Sequence, residues 1–227
     1  SADTAAATKE TEAAVDNAIA TKDELDNAVK DLDSVTHPEN LAAIEGKKVA
    51  ALKAADLIEL KARVAELAAA KALEAALAAG LPIPETVNMA KQAALKAAAL
   101  ASALRDSAAK TEAITDVIVD VWGQIAQEAA DVAHHAQIDV QEAQDALKSA
   151  VNNLGSSPSK AQLVDITNKQ ALVLAAVQLT NDKAQAAAHA AVIAHKAAVA
   201  ADEVDPLGVL QANTAAHDAS QAATEDR

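Results

Sequence analysis

The chain of 227 residues predicts an all-α fold: an antiparallel bundle of four or five long, alanine-rich amphipathic helices. Two observations carry this reading. More than a quarter of the residues are alanine, the best helix former. Apolar residues recur at alternating steps of three and four, and no segment shows the alternation of a strand. Breakers are scarce, with five glycines and five prolines, and they gather where short connections belong.

The first helix carries Val15, Ala18, Lys22, Leu25, Val29 and Leu32 on one stripe. It ends at Ser34-Val35-Thr36-His37-Pro38-Glu39, where Thr36 and Glu39 have capping-box spacing and Pro38 suits a first turn. In the second helix, Leu41, Ile44, Leu52, Leu60, Val64, Leu67 and Leu77 mark the predicted stripe. Gly80-Leu81-Pro82-Ile83-Pro84-Glu85 then supplies a glycine stop and two prolines that cannot continue it.

From Pro84 to Leu154 there is no further proline and only Gly123. A break is expected, either from Arg105 to Thr111, where the stripe is weakest, or at Gly123. Beyond it run Ile118, Trp122, Ile125, Ala129, Val132 and Ala136, then Val140, Ala143, Leu147 and Val151 after a step of four that locally relaxes a supercoil. Asn152-Asn153-Leu154-Gly155-Ser156-Ser157-Pro158 reads as a stop, a serine cap and a proline start. The segment Ser159 to Val204 is apolar nearly all round and is expected to be the most central helix. Asp205-Pro206-Leu207-Gly208 opens a polar, alanine-rich tail from about residue 206, expected to be helical for part of its length and then frayed. The whole chain, 1–227, reads as one elongated domain.

Phenylalanine, tyrosine and cysteine are absent, and tryptophan occurs once, at Trp122. A core of methyl groups must be extended rather than thick, with helices toward the lower end of the usual spacing of about 8–10 Å. The net charge of −14 argues against nucleic acid, which needs clustered Lys and Arg, and against strong attraction to anionic headgroups. No run of about 18 apolar residues could form a transmembrane segment. Ser1-Ala2-Asp3-Thr4 resembles a terminus left after signal removal, which points to secretion.

Glu128, Asp131, His135, Asp139 and Glu142 share a helix face beside His134, yet they read as a solvated polar stripe opposite Trp122, Ile125 and Val132, so no metal site is assigned. His189 and His195 lie about 240° apart around a helix and cannot share one site within it. Carboxylate pairs such as Asp23/Glu24 and Asp202/Glu203 are adjacent and so face different ways. With no nucleophile elbow and no phosphate-cradling glycine loop, the sequence points to a non-enzymatic protein without a cofactor. Candidate ligand contacts are Ile118, Trp122, Ile125, Val173, Val177 and Ile193, the bulkier apolar groups of the third and fourth segments. The competing reading makes Trp122 a filler for the widest part of the core.

Gly80-Leu81-Pro82-Ile83-Pro84-Glu85 resembles the connection between early helices of the insect apolipophorin III family, whose lone Trp and long amphipathic bundle are also similar. That resemblance implies five helices, secretion, hemolymph circulation and reversible lipid binding by bundle opening. The alanine content, missing cysteine and heptad-like core also resemble the coiled-coil silks of bees and mantises, which implies a structural role and homo-oligomers. Alanine-rich helices resemble type I fish antifreeze proteins too, although threonines from Thr4 to Thr224 keep no eleven-residue register. The leading expectation is reversible binding of lipid or another elongated hydrophobic ligand.

Overall fold

The computed structural model describes residues 2–33 and 36–224. Among the described residues it is an all-α bundle of five helices: α1 (Ala2–Lys30), α2 (Pro38–Ala78), α3 (Glu85–Asn152), α4 (Lys160–Ala200) and α5 (Leu207–Thr224). Ser34 and Val35 of the first connection, and the last three residues of the tail, lie outside the described residues. The sequence reads as one domain, whereas contacts gather the chain into two compact units, Ser1–Asp116 and Val117–Arg227.

α3 runs unbroken through both places where a break was expected. In the polar stretch the Thr111 hydroxyl donates to the Ser107 carbonyl (2.8 Å) and that of Thr115 to the Glu112 carbonyl (2.9 Å). Both side chains are buried, so the weak stripe still packs. Gly123 costs helix propensity but serves close approach: a Cβ there would lie 2.6 Å from Pro206 Cβ.

In the first unit, α1 and α2 run antiparallel. Thr4 Oγ1 donates to the Ala68 carbonyl (3.2 Å) and Thr11 Oγ1 to that of Lys61 (3.1 Å), while Lys61 pairs with Glu10 (2.7 Å). A hydroxyl on one helix can reach a carbonyl of the next only when the backbones lie close, which requires small residues between them. The α2 side chains that face inward are accordingly Ile44, Ala51, Ala55, Ile58, Ala62, Ala65, Ala69 and Ala76, with Leu41 at the start. The predicted stripe is thereby corrected. Leu41 and Ile44 are buried, but Leu52, Leu60, Val64, Leu67 and Leu77 are exposed, Leu60 by 58% and Leu67 by 64%. Two apolar rows coexist on α2, and close packing selects the one made largely of methyl groups. Leu25, Ile58 and Leu104 supply bulk among Ala18, Ala55, Ala97 and Ala101, and the first-helix stripe packs as expected, with Ala18 and Leu25 inside.

The second unit repeats this chemistry. Ala126, Ala130 and Ala133 of α3 meet Ala184, Ala187, Ala191 and Ala194 of α4 and Val209, Ala212, Ala216 and Ala219 of α5. Thr180 Oγ1 donates to the Ala136 carbonyl at 2.9 Å, again across helices. The expectation that α4 is central along its length fails. Its buried residues all lie from Thr180 onward, and Leu163, Val164, Leu172 and Leu174 are half-exposed or more. The reason is length: the 18 residues of α5 cover only the second half of α4. On α3, Val132 and Val151 likewise leave the predicted stripe for the surface. The tail, expected to be helical for part of its length, forms α5 with a packed alanine face.

The helix ends show which punctuation acts. Gly80, at φ 64°, ends α2 with Leu81 N donating to Ala76 O (2.9 Å) and Gly80 N to Leu77 O (3.1 Å), the paired bonds of a Schellman motif. Asp202 ends α4 the same way at φ 58°, with Glu203 N donating to Ala198 O (2.9 Å). Aspartate carries a left-handed penalty that glycine lacks. Asp202→Gly is therefore expected to stabilise the fold by about 1 kcal/mol, seen as a higher urea midpoint at unchanged slope. At α4 the cap is Ser159, in a capping box with Gln162, one residue after the expected proline start. Thr36, expected to cap α2, turns its hydroxyl to Asp33 instead, and His37 takes the cap position before Pro38.

Candidate functional site

The sequence-predicted ligand contacts separate in space. Ile118 is buried on α3. Trp122 and Ile125 are half-buried and pack on the cluster of Ala126, Ala130, Ala190, Ala191, Ala194, Val209 and Ala212. Ile193 is half-buried on α4. Val173 and Val177, also half-buried, precede that cluster on α4; Val177 lies about 20 Å along the helix axis from Ala190. The structure thus brings Trp122 and Ile125 together and leaves Val173 and Val177 apart from them.

The histidine face remains a surface stripe. His135 Nδ1 donates to the Asp131 carbonyl (2.7 Å), Gln127 donates to the Asp131 carboxylate (3.0 Å), and the His134 and His135 rings meet edge-on at 6.3 Å. Among the described residues no group of three His, Asp or Glu side chains converges as a metal site would require. His195 Nδ1 lies 2.7 Å from Asp205 Oδ1, tying the end of α4 to the connection into α5.

Open grooves lie on the first unit. One, of about 530 Å³, is lined by Lys22, Asp26, Lys30, Asp106, Ser107 and Lys110 with Val29 and Ile114. Asp26 accepts from the Lys22 ammonium and from the Ser107 hydroxyl of α3. Those bonds, the Lys22 one first, hold its carboxyl below the usual aspartate range. A carboxyl with a depressed folded pKa stabilises above its unfolded value, near 3.9, and loses that contribution as pH falls through the folded value. Ser107→Ala is expected to cost about 1 kcal/mol at neutral pH and progressively less below about pH 4. Urea unfolding at both pH values checks this. No local signal in the sequence joins residues this far apart; only the α1–α3 register does.

A second groove, about 420 Å³, is lined by Val64, Leu67, Ala68 and Ala72 with Asp3 and Lys71 at its edges. It adjoins the outward row of α2, where Leu57, Leu60, Val64 and Leu67 are all exposed. Nearby, Arg105 of α3 binds Glu59 and Asp56 (3.0 Å to Asp56). Sequence reasoning found most of these apolar residues but assigned them to the core. Their chemistry is that of an apolar surface rather than a pocket. No protein family, curated protein or solved structure matches this chain at a significant level.

Proposed function

We propose that this protein is a non-enzymatic, secreted binder of lipid or another extended apolar surface, engaged through side chains that already face outward. The observation that carries the reading is the inversion of size: alanine fills the core while Leu60, Leu67, Leu95, Leu172, Leu174 and Leu210 are each more than half exposed. Soluble monomers rarely present large contiguous apolar patches without a partner. Burying a leucine side chain contributes roughly 1.5–3 kcal/mol, so a handful of them suffices for reversible adsorption. Opening the bundle is unnecessary, because opening would expose mainly methyl groups.

Co-flotation with phosphatidylcholine vesicles tests the reading. The full chain is expected to float with the vesicles, with its helicity unchanged and Trp122 emission unshifted, since Trp122 packs on the second-unit core. A shifted Trp122 emission on binding would instead favour bundle opening. Absence from the lipid fraction at every lipid concentration would sink the proposal. The same side chains can serve self-association, and filaments growing with protein concentration in lipid-free buffer would favour the silk-like reading. Ice binding has less support, because Thr4, Thr8, Thr11, Thr111, Thr115 and Thr180 are buried rather than arrayed on a face.

A further inference from the structure

On α2 the row opposite the core reads Lys53, Leu57, Leu60, Val64, Leu67, Lys71, at steps of four and three throughout. At 100° per residue it lies about 160° around the helix from the inward row Ala55, Ile58, Ala62, Ala65 and Ala69. Every member is exposed. The row spans about 27 Å from lysine to lysine, and Arg63 flanks its middle. Among the described residues, Lys53, Arg63 and Lys71 form no ion pair within 4 Å, although Arg63 also attracts Glu59, which Arg105 holds.

Three of the acids around the row are engaged in ion pairs. Arg105 holds Asp56 and Glu59, and Lys61 holds Glu10 at 2.7 Å. Glu66 stands in the column of Glu59, on the side facing Arg105, and Glu74 follows one step past Lys71. Asp3 edges the groove shared with Val64 and Leu67. A chain with net charge −14 thus presents one apolar row that begins and ends in cations outside any ion pair. On α4, Leu172 and Leu179 are exposed too, but Asp165 there is paired with Lys169 (2.8 Å), and Asp182 and Lys183 stand side by side past Leu179.

Building on the lipid reading, we infer that α2 is the face that meets the membrane surface and that it selects anionic headgroups. Leucines sink into the acyl boundary while Lys53, Arg63 and Lys71 extend along it to lipid phosphates, as amphipathic side chains do at an interface. Net charge alone points the other way. At physiological salt, however, screening acts over about 8 Å, so the charges nearest the surface decide.

The test measures partitioning of the full chain onto vesicles of phosphatidylcholine alone and of phosphatidylcholine mixed with phosphatidylglycerol. The wild type is expected to prefer the mixed vesicles, and raising the salt is expected to erode that preference. A basic residue near an anionic surface contributes about fivefold in partitioning, so K53Q/R63Q/K71Q should lose on the order of a hundredfold on mixed vesicles and little on neutral ones. L60Q/L67Q should weaken binding to both. L172Q/L179Q should leave the preference intact. All substituted side chains are exposed, and circular dichroism verifies that each variant keeps its helicity. Equal wild-type binding to both vesicle types, or a preference that survives K53Q/R63Q/K71Q, overturns the inference while the lipid reading stands. Failure to bind either vesicle overturns both.

Discussion

Replacing Gly208 by alanine is expected to cost about 2–3 kcal/mol or more, among the largest effects of any single added methyl in this protein. A Cβ at Gly208 would lie 2.0 Å from the Gly123 carbonyl oxygen, 3.0 Å from its carbon and 3.1 Å from Gln127 N. All three are backbone atoms and cannot swing aside. Relief requires α5 to move off α3, and the contacts of Val209 and Ala212 with Ala126 and Ala130 would loosen with it. The helix propensity gained by alanine, about 1 kcal/mol at most, does not offset this. Gly46 gives the opposite sign. It lies within α2, and a methyl added there would have nothing within 4 Å, so Gly46→Ala is expected to stabilise by up to about 1 kcal/mol. Thermal unfolding followed by helicity separates the two, with a shift of about 2–4 °C for each kcal/mol. An unchanged midpoint for Gly208→Ala would contradict the packing described for α3 and α5.

Leu104→Ala is expected to cost about 3–5 kcal/mol, the upper part of the range for a buried leucine. Leu104 is fully buried with Leu25 and Ile58, and its cluster also includes Ala55, Ala97 and Ala101. Alanine has no rotamer with which to fill a hole, so the cavity persists. The matched control is Leu60→Ala on the outer row of α2, where the change in stability should stay within about 0.5 kcal/mol. Chemical denaturation of both variants decides the matter. Equal losses would mean that the outer row, too, is packed.

This pair of leucines shows how far the sequence can be read. Leu60 and Leu104 both belong to helical segments of three-four periodicity, and the period treats them alike. On α2 two rows satisfy that period, and hydropathy favours the row containing Leu60, Val64 and Leu67. The bundle chooses Ala55, Ala62 and Ala69 instead. Closeness is the cause: Thr4 and Thr11 can donate to carbonyls of α2 only across a seam of small side chains. The candidate site was hidden for the same reason, since its residues were legible as apolar but assigned inward. The ion pairs of Arg105 with Asp56 and Glu59 depend on the α2–α3 register, which no local spacing encodes.

Gly123 makes the same point at the backbone. As a lone glycine in a long helical stretch it reads as a break, and the structure uses it as a contact for Pro206 and Gly208. What the sequence by itself determined is the local chemistry: helices throughout, because alanine loses the least in adopting them, with a stop at Gly80 and a start after Pro206, because φ and missing donors act within a residue or two. What only the tertiary structure decided is which face of each helix turns inward, whether α3 continues, and how much of α4 is covered. Those outcomes depend on how closely neighbouring backbones can approach, a property of facing surfaces that no single helix carries in its own period.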